Sequence, residues 1–96
     1  MKFEWDPKKA AANLAKHRVS FEDASTVFGD PLAGTIPDPL HSAEEARFIT
    51  VGHSNGGRLV IVVHADHGER ARIISARVAT SVERRRYESK TPHQKR

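Results

Sequence analysis

Apolar and polar residues alternate over Lys2 to Trp5, which predicts a short strand at the start of the chain. Asp6-Pro7 follows as a capping carboxylate with proline at the first helical position, and the helix it opens is expected to run to about His17. Ser20 opens a second helical segment, in which Phe21, Ala24, Ser25 and Phe28 recur at i, i+3, i+4 and i+7 as a narrow buried stripe. Gly29-Asp30-Pro31 ends it. Residues 29–46, with three prolines and two glycines, read as a loop holding a short extended piece at Ala33 to Ile36.

Three β signals come next: Arg47 to Ser54, Arg58 to Ala65 after Asn55-Gly-Gly57, and Arg70 to Ala76 after Asp66-His-Gly-Glu69. Tight turns of this composition imply an antiparallel meander. Its middle strand carries Leu-Val-Ile-Val-Val, apolar on both faces, so it is expected to be central and covered by helices on at least one side. Thr80 and Glu83 form a capping box for a last helix through about Ser89. The expected class is therefore α+β, with N-terminal helices packed on a small antiparallel sheet and a basic C-terminal helix. Residues 1–89 read as one domain and residues 90–96 as a frayed, disordered basic tail.

Charge changes the picture because it is local. Residues 70–96 hold nine Lys or Arg against two Glu, whereas residues 1–69 hold seven against ten acidic residues. A one-sided arginine cluster is the electrostatic footprint of a polyanion-binding face, and also the composition of a plain solvated helix with a basic tail. Ninety-six residues at 38% hydrophobic content make a single domain with a small core of modest stability. The absence of cysteine excludes disulfides and thiolate chemistry. The start has no apolar signal segment, and the longest apolar run, Leu59 to Val63, is too short to cross a bilayer, so a cytoplasmic protein is expected.

Several short pieces in order resemble the BrnT toxins of bacterial type II toxin–antitoxin systems: Phe3-Glu-Trp-Asp6, Asn13-Leu-Ala-Lys-His17, Val19-Ser-Phe-Glu-Asp-Ala24, Phe28-Gly-Asp-Pro31, Glu45-Ala-Arg-Phe48, Arg72-Ile-Ile-Ser-Ala-Arg77 and Glu83-Arg-Arg-Arg-Tyr-Glu88. The resemblance runs to Glu88 and leaves Thr91 to Arg96 outside it. It implies a RelE-like fold, ribonuclease activity that inhibits translation, and neutralisation by a BrnA-type antitoxin in a hetero-oligomer. Operator DNA would be met only through that antitoxin. The resemblance carries no fixed nucleophile motif.

The reaction it implies is metal-independent and cofactor-free, with the ribose 2′-OH attacking the neighbouring phosphate. Such a step needs a proton acceptor, cations for the phosphorane and a proton donor for the leaving oxygen. Arginine suits the middle role because its planar fork meets phosphate oxygens bidentately. The catalytic candidates are Arg72, Arg77, Tyr87 and His17, with Lys9, Arg84 and Arg85 as RNA contacts. Alternation along the strand lets Arg72 and Arg77 share a face only if the strand ends or bulges near Ala76. Tyr87 among arginines is expected to have a pKa below about 10, or else to stack on a base or anchor its helix. His17 ends a helix whose dipole favours its charged form, and Lys9, Asn13 and His17 fall on successive turns that line one polar face.

His64-Ala-Asp-His67 has no third or fourth ligand at metal-binding spacing, and no nucleotide-binding glycine motif occurs. Two rivals to a nuclease remain. One is a non-catalytic nucleic-acid-binding module whose arginines only position a backbone, and the other is an interaction subunit whose basic face meets an acidic partner.

Overall fold

The computed structural model describes residues 1–39 and 45–90. Strand β1 (Lys2–Glu4) leads into helix α1 (Pro7–His17), helix α2 (Phe21–Ser25) and a 3-10 turn (Thr26–Gly29). Strands β2 (Gly34–Pro37), β3 (Arg47–His53), β4 (Leu59–His67) and β5 (Arg70–Val78) follow, and helix α3 (Ser81–Lys90) closes the chain. The expected basic tail, past Lys90, lies outside the described residues.

The local signals act as their chemistry requires. Asp6 Oδ1 accepts the Lys8 amide at 2.9 Å, and Pro7 occupies a position that needs no N–H. Arg18 ends α1 in the left-handed region at φ 61°, its amide donating to Leu14 O at 2.9 Å. Ser20 Oγ accepts from Asp23 N to start α2. Beyond it the expected four-residue spacing gives way, because the chain tightens into the 3-10 turn. Phe21, Ala24 and Val27 are buried at three-residue intervals, while Ser25 bonds Glu22 O instead.

The five strands lie in the order β1-β5-β4-β3-β2. β3 to β5 form the expected antiparallel meander and the short extended piece joins its edge as β2, but the sheet as a whole is mixed, since β1 pairs parallel with β5 through Lys2–Arg70, Phe3–Ala71 and Glu4–Arg72. Two helices separate β1 from the meander and supply the crossover that a parallel neighbour needs. They cover one sheet face only: Val19, Phe21, Ala24 and Val27 pack on Val60, Val62, Ile73 and Ala76, with Phe3, Trp5, Ala10 and Phe28 at the margin. Asn13 points into this seam. Its amide donates to Val19 O at 3.0 Å and Ala76 O at 2.8 Å and accepts Ala76 N at 3.1 Å, so the middle residue of the expected polar stripe of α1 faces the sheet and not solvent.

On the same helix-covered face a chain of polar contacts crosses three strands. Thr35 Oγ1 meets Thr50 Oγ1 at 2.7 Å, Thr50 meets His64 Nε2 at 2.7 Å, and His64 Nδ1 meets Asp66 at 2.6 Å. His64, 1% exposed between the rings of Phe28 and Phe48, is a satisfied core residue. Alternation sends His67 to the opposite face, so His64 and His67 do not converge.

Candidate active site

The second face of the sheet carries the candidates Arg72 and Arg77 together, and a bulge puts them there. The β4–β5 register runs Val62–Ala76 and Val63–Ser75, then shifts so that His64 meets Ile73 and Ala65 meets Arg72. Ile74 is the extra residue. Without it Arg72 and Arg77 would project to opposite sides; with it, both stand on the face away from α1 and α2. They stand opposite Ala65 and Ile61, four residues or about 13 Å apart along β4.

Each arginine holds a carboxylate. Arg72 Nη2 donates to both oxygens of Glu45 at 2.7 and 2.6 Å. Arg47, in the same row through the Arg47–Ala65 pairing, lies 3.6 Å from Glu45, and His67 Nε2 lies 3.5 Å from it. Partial burial pushes the Glu45 carboxyl up, but the hydrogen bonds and charge of Arg72, helped by Arg47 and His67, outweigh it and hold the group below the ordinary carboxylate range.

At the other end Arg77 forks onto Glu83, Nη1 to Oε1 and Nη2 to Oε2 at 2.8 Å each. That fork, with the Thr80 amide, holds the Glu83 pKa down to about 2 against burial. Glu83 also accepts the Thr80 amide while its own amide donates to Thr80 Oγ1, completing the expected capping box. Tyr87, on the next turn of α3, donates to Asp30 Oδ2 at 2.9 Å, and its ring stands edge-on to His53 at 5.4 Å. Burial first and Asp30 second raise the Tyr87 pKa to about 12. The expected lowering does not occur, since the nearest charge is a carboxylate and not an arginine.

The sequence candidates therefore divide. Arg72, Arg77 and Tyr87 share the open face, and Arg84 and Arg85 are exposed on α3. His17, half-buried, and Lys9, exposed, sit on α1 in the other layer, so the sheet separates them from Arg72. Glu45, Arg47 and His67 were not among the candidates. Their signal was faint: Glu45 and Arg47 stand two apart at a strand start, and the two hairpin turns align Arg47 with Arg72.

Fold and site together define a small α+β protein with a cationic, carboxylate-bearing sheet face left uncovered by α1 and α2 and met at one end by α3. The family model for BrnT, the ribonuclease toxin of type II toxin–antitoxin systems, matches residues 5–83. The crystal structure of the ribonuclease toxin BrnT of Brucella abortus is similar with a TM-score of 0.66 and 28% identity, over 84% of this chain and 99% of that one. No curated protein sequence matches. The chain belongs to the BrnT family of ribonuclease toxins of type II toxin–antitoxin systems. Glu45, Arg47, His67 and Arg72 lie inside the matched region, whereas Arg84 to Tyr87 lie beyond it.

Proposed function

We propose that this chain is a metal-independent endoribonuclease that inhibits translation and is held inactive by a BrnA-type antitoxin. The carrying observation is the Arg72 guanidinium seated on both oxygens of Glu45, with Arg47 and His67 within 3.6 Å of the same carboxylate.

In the free chain Glu45 is a weak base because Arg72 occupies it. An RNA phosphate competes for that guanidinium and takes Arg72 as its own clamp, which frees Glu45 and returns its basicity. The 2′-oxygen then attacks phosphorus and its proton passes to Glu45. Arg72 and Arg47 stabilise the phosphorane oxygens. As the bond from phosphorus to the 5′-oxygen breaks, His67 in its imidazolium form protonates that oxygen, leaving a 2′,3′-cyclic phosphate and a 5′-hydroxyl. A carboxylate already taken up by two guanidinium groups, Arg72 and Arg47, offers little to a divalent ion, which supports the metal-independent reading. Arg77, Arg84 and Arg85 serve as backbone contacts along the strand.

The test is cleavage of total RNA by the purified chain in EDTA, beside Glu45→Gln, Arg72→Ala and His67→Ala. Cleavage by the parent, lost in all three folded variants, is the expected result. RNA binding without cleavage by the parent favours the rival binding module, for which the exposed arginines of α3 speak.

A further inference from the structure

Between α3 and the edge strand β2 lies a cleft of about 710 Å³ on the same open face. Its floor is Ile49, Val51 and Ile61; Ile36 forms one wall and Tyr87 the other, with Arg77, Glu83 and Arg86 at the rim. We infer that this cleft is a nucleobase subsite, which receives a base splayed from a single-stranded RNA crossing the face; this rests on the ribonuclease reading above.

Four observations carry it. The cleft persists because α3, Ser-Val-Glu-Arg-Arg-Arg-Tyr-Glu-Ser-Lys, has no apolar stripe to close onto the floor; its Val82 is 48% exposed, and polar contacts through Glu83 and Tyr87 hold it in place. The Tyr87 ring is fixed in advance, its hydroxyl by Asp30 and its edge by His53, so a base that packs on it loses little entropy in ordering the site. The rim is cationic, since Glu83 balances Arg77 and Arg86 remains. It also lies in line with Arg72, so a phosphate chain running from Arg72 to Arg77 brings a nearby base to it.

A peptide strand is the competing occupant of an edge. β2 opposes it with only four residues, ending in Pro37, which has no N–H to offer a new neighbour. The volume falls in the range of pockets that enclose a small ligand.

The experiment uses the full chain and a short oligoribonucleotide methylated at every 2′-oxygen, so that it binds without being cut. Abasic positions are introduced one at a time. For the parent, one abasic position is expected to weaken binding about tenfold, the scale of a lost base stack. Ile36→Asp, at a half-exposed edge position, should already bind about tenfold worse and show no further loss with that probe. Tyr87→Phe, which keeps the ring and loses the Asp30 hydrogen bond, should bind more weakly than the parent but keep the abasic effect, whereas Tyr87→Ala should lose that effect, which separates ring stacking from the hydrogen bond. Equal affinity for all abasic probes, or parent-like binding by Ile36→Asp, would overturn the subsite and hand the cleft to a protein partner. Cleavage is read separately on unmodified RNA. If the parent cuts nothing but the abasic effect is present, the catalytic reading fails and the subsite stands.

Discussion

Tyr87 and Asp30, 57 positions apart, are joined by a 2.9 Å hydrogen bond in which the phenol donates, so the hydroxyl is tied to a carboxylate and not activated by the arginines beside it. Tyr87 is the sole tyrosine of the chain, so its phenolate absorbance can be followed without overlap. The expected midpoint is about 12 in place of the usual 10, and Asp30→Asn should bring it back part of the way, burial supplying the rest. A parent midpoint at or below 10 would show that the contact does not persist in solution.

The same contact and the Arg77–Glu83 fork give the docking of α3 a pH window. Glu83 has a folded pKa depressed to about 2 from 4.5, so its contribution is complete above 4.5 and disappears as pH falls through about 2. Tyr87 has a raised folded pKa, so its contribution is complete below 10 and disappears as pH rises through about 12. Amide hydrogen exchange across Ser81 to Ser89 should show α3 protected between those limits, with Glu83→Gln removing the acid edge. Both side chains of the Arg77 fork are about a third or more exposed, so the loss reads as local fraying of α3 and not global unfolding.

Asn13 predicts the opposite kind of effect. It satisfies the Ala76 amide and two carbonyls in a seam that excludes water. Asn13→Ala leaves those groups without partners and should cost about 3 kcal/mol of stability, a large share for a domain of this size. Urea unfolding followed by the fluorescence of Trp5, which packs against Phe21, measures it. A loss below about 1 kcal/mol would mean that water replaces the side chain.

The contrast between these residues shows what pattern alone can reach. Asp6-Pro7, Ser20, Thr80 with Glu83 and the Leu59 to Val63 run act through near neighbours, and each opened or formed the element expected of it, although the helix after Ser20 tightens into a 3-10 turn past Ser25. The parallel pairing of Phe3 with Ala71 depends on residues far apart in the chain and leaves no local trace. Ile74 could be stated only as a condition, because apolar residues around a bulge look like any other strand. Glu45 read as loop because its role is set by strand register, which brings Arg72 to it from 27 positions away. Asn13 sat in a plausible polar row, and only the tertiary packing shows that it alone of the row is buried.

The division of the basic candidates between two layers is tested by activity. Arg72 stands on the open face against Glu45, while Lys9 and His17 stand on α1 behind the sheet. Arg72→Lys keeps the charge but loses the planar fork that meets two oxygens at once, so kcat on RNA should fall about a hundredfold with the fold intact. Lys9→Ala and His17→Ala should cleave at the parent rate, since no reacting group can be reached through the sheet. On the proposed reading Arg77 is a backbone contact about 13 Å along the sheet from Arg72, so Arg77→Ala should raise KM more than it lowers kcat. A collapse of kcat in His17→Ala, with Arg72→Lys near the parent, would move catalysis to the helical layer and leave the Glu45 cluster a structural ion pair.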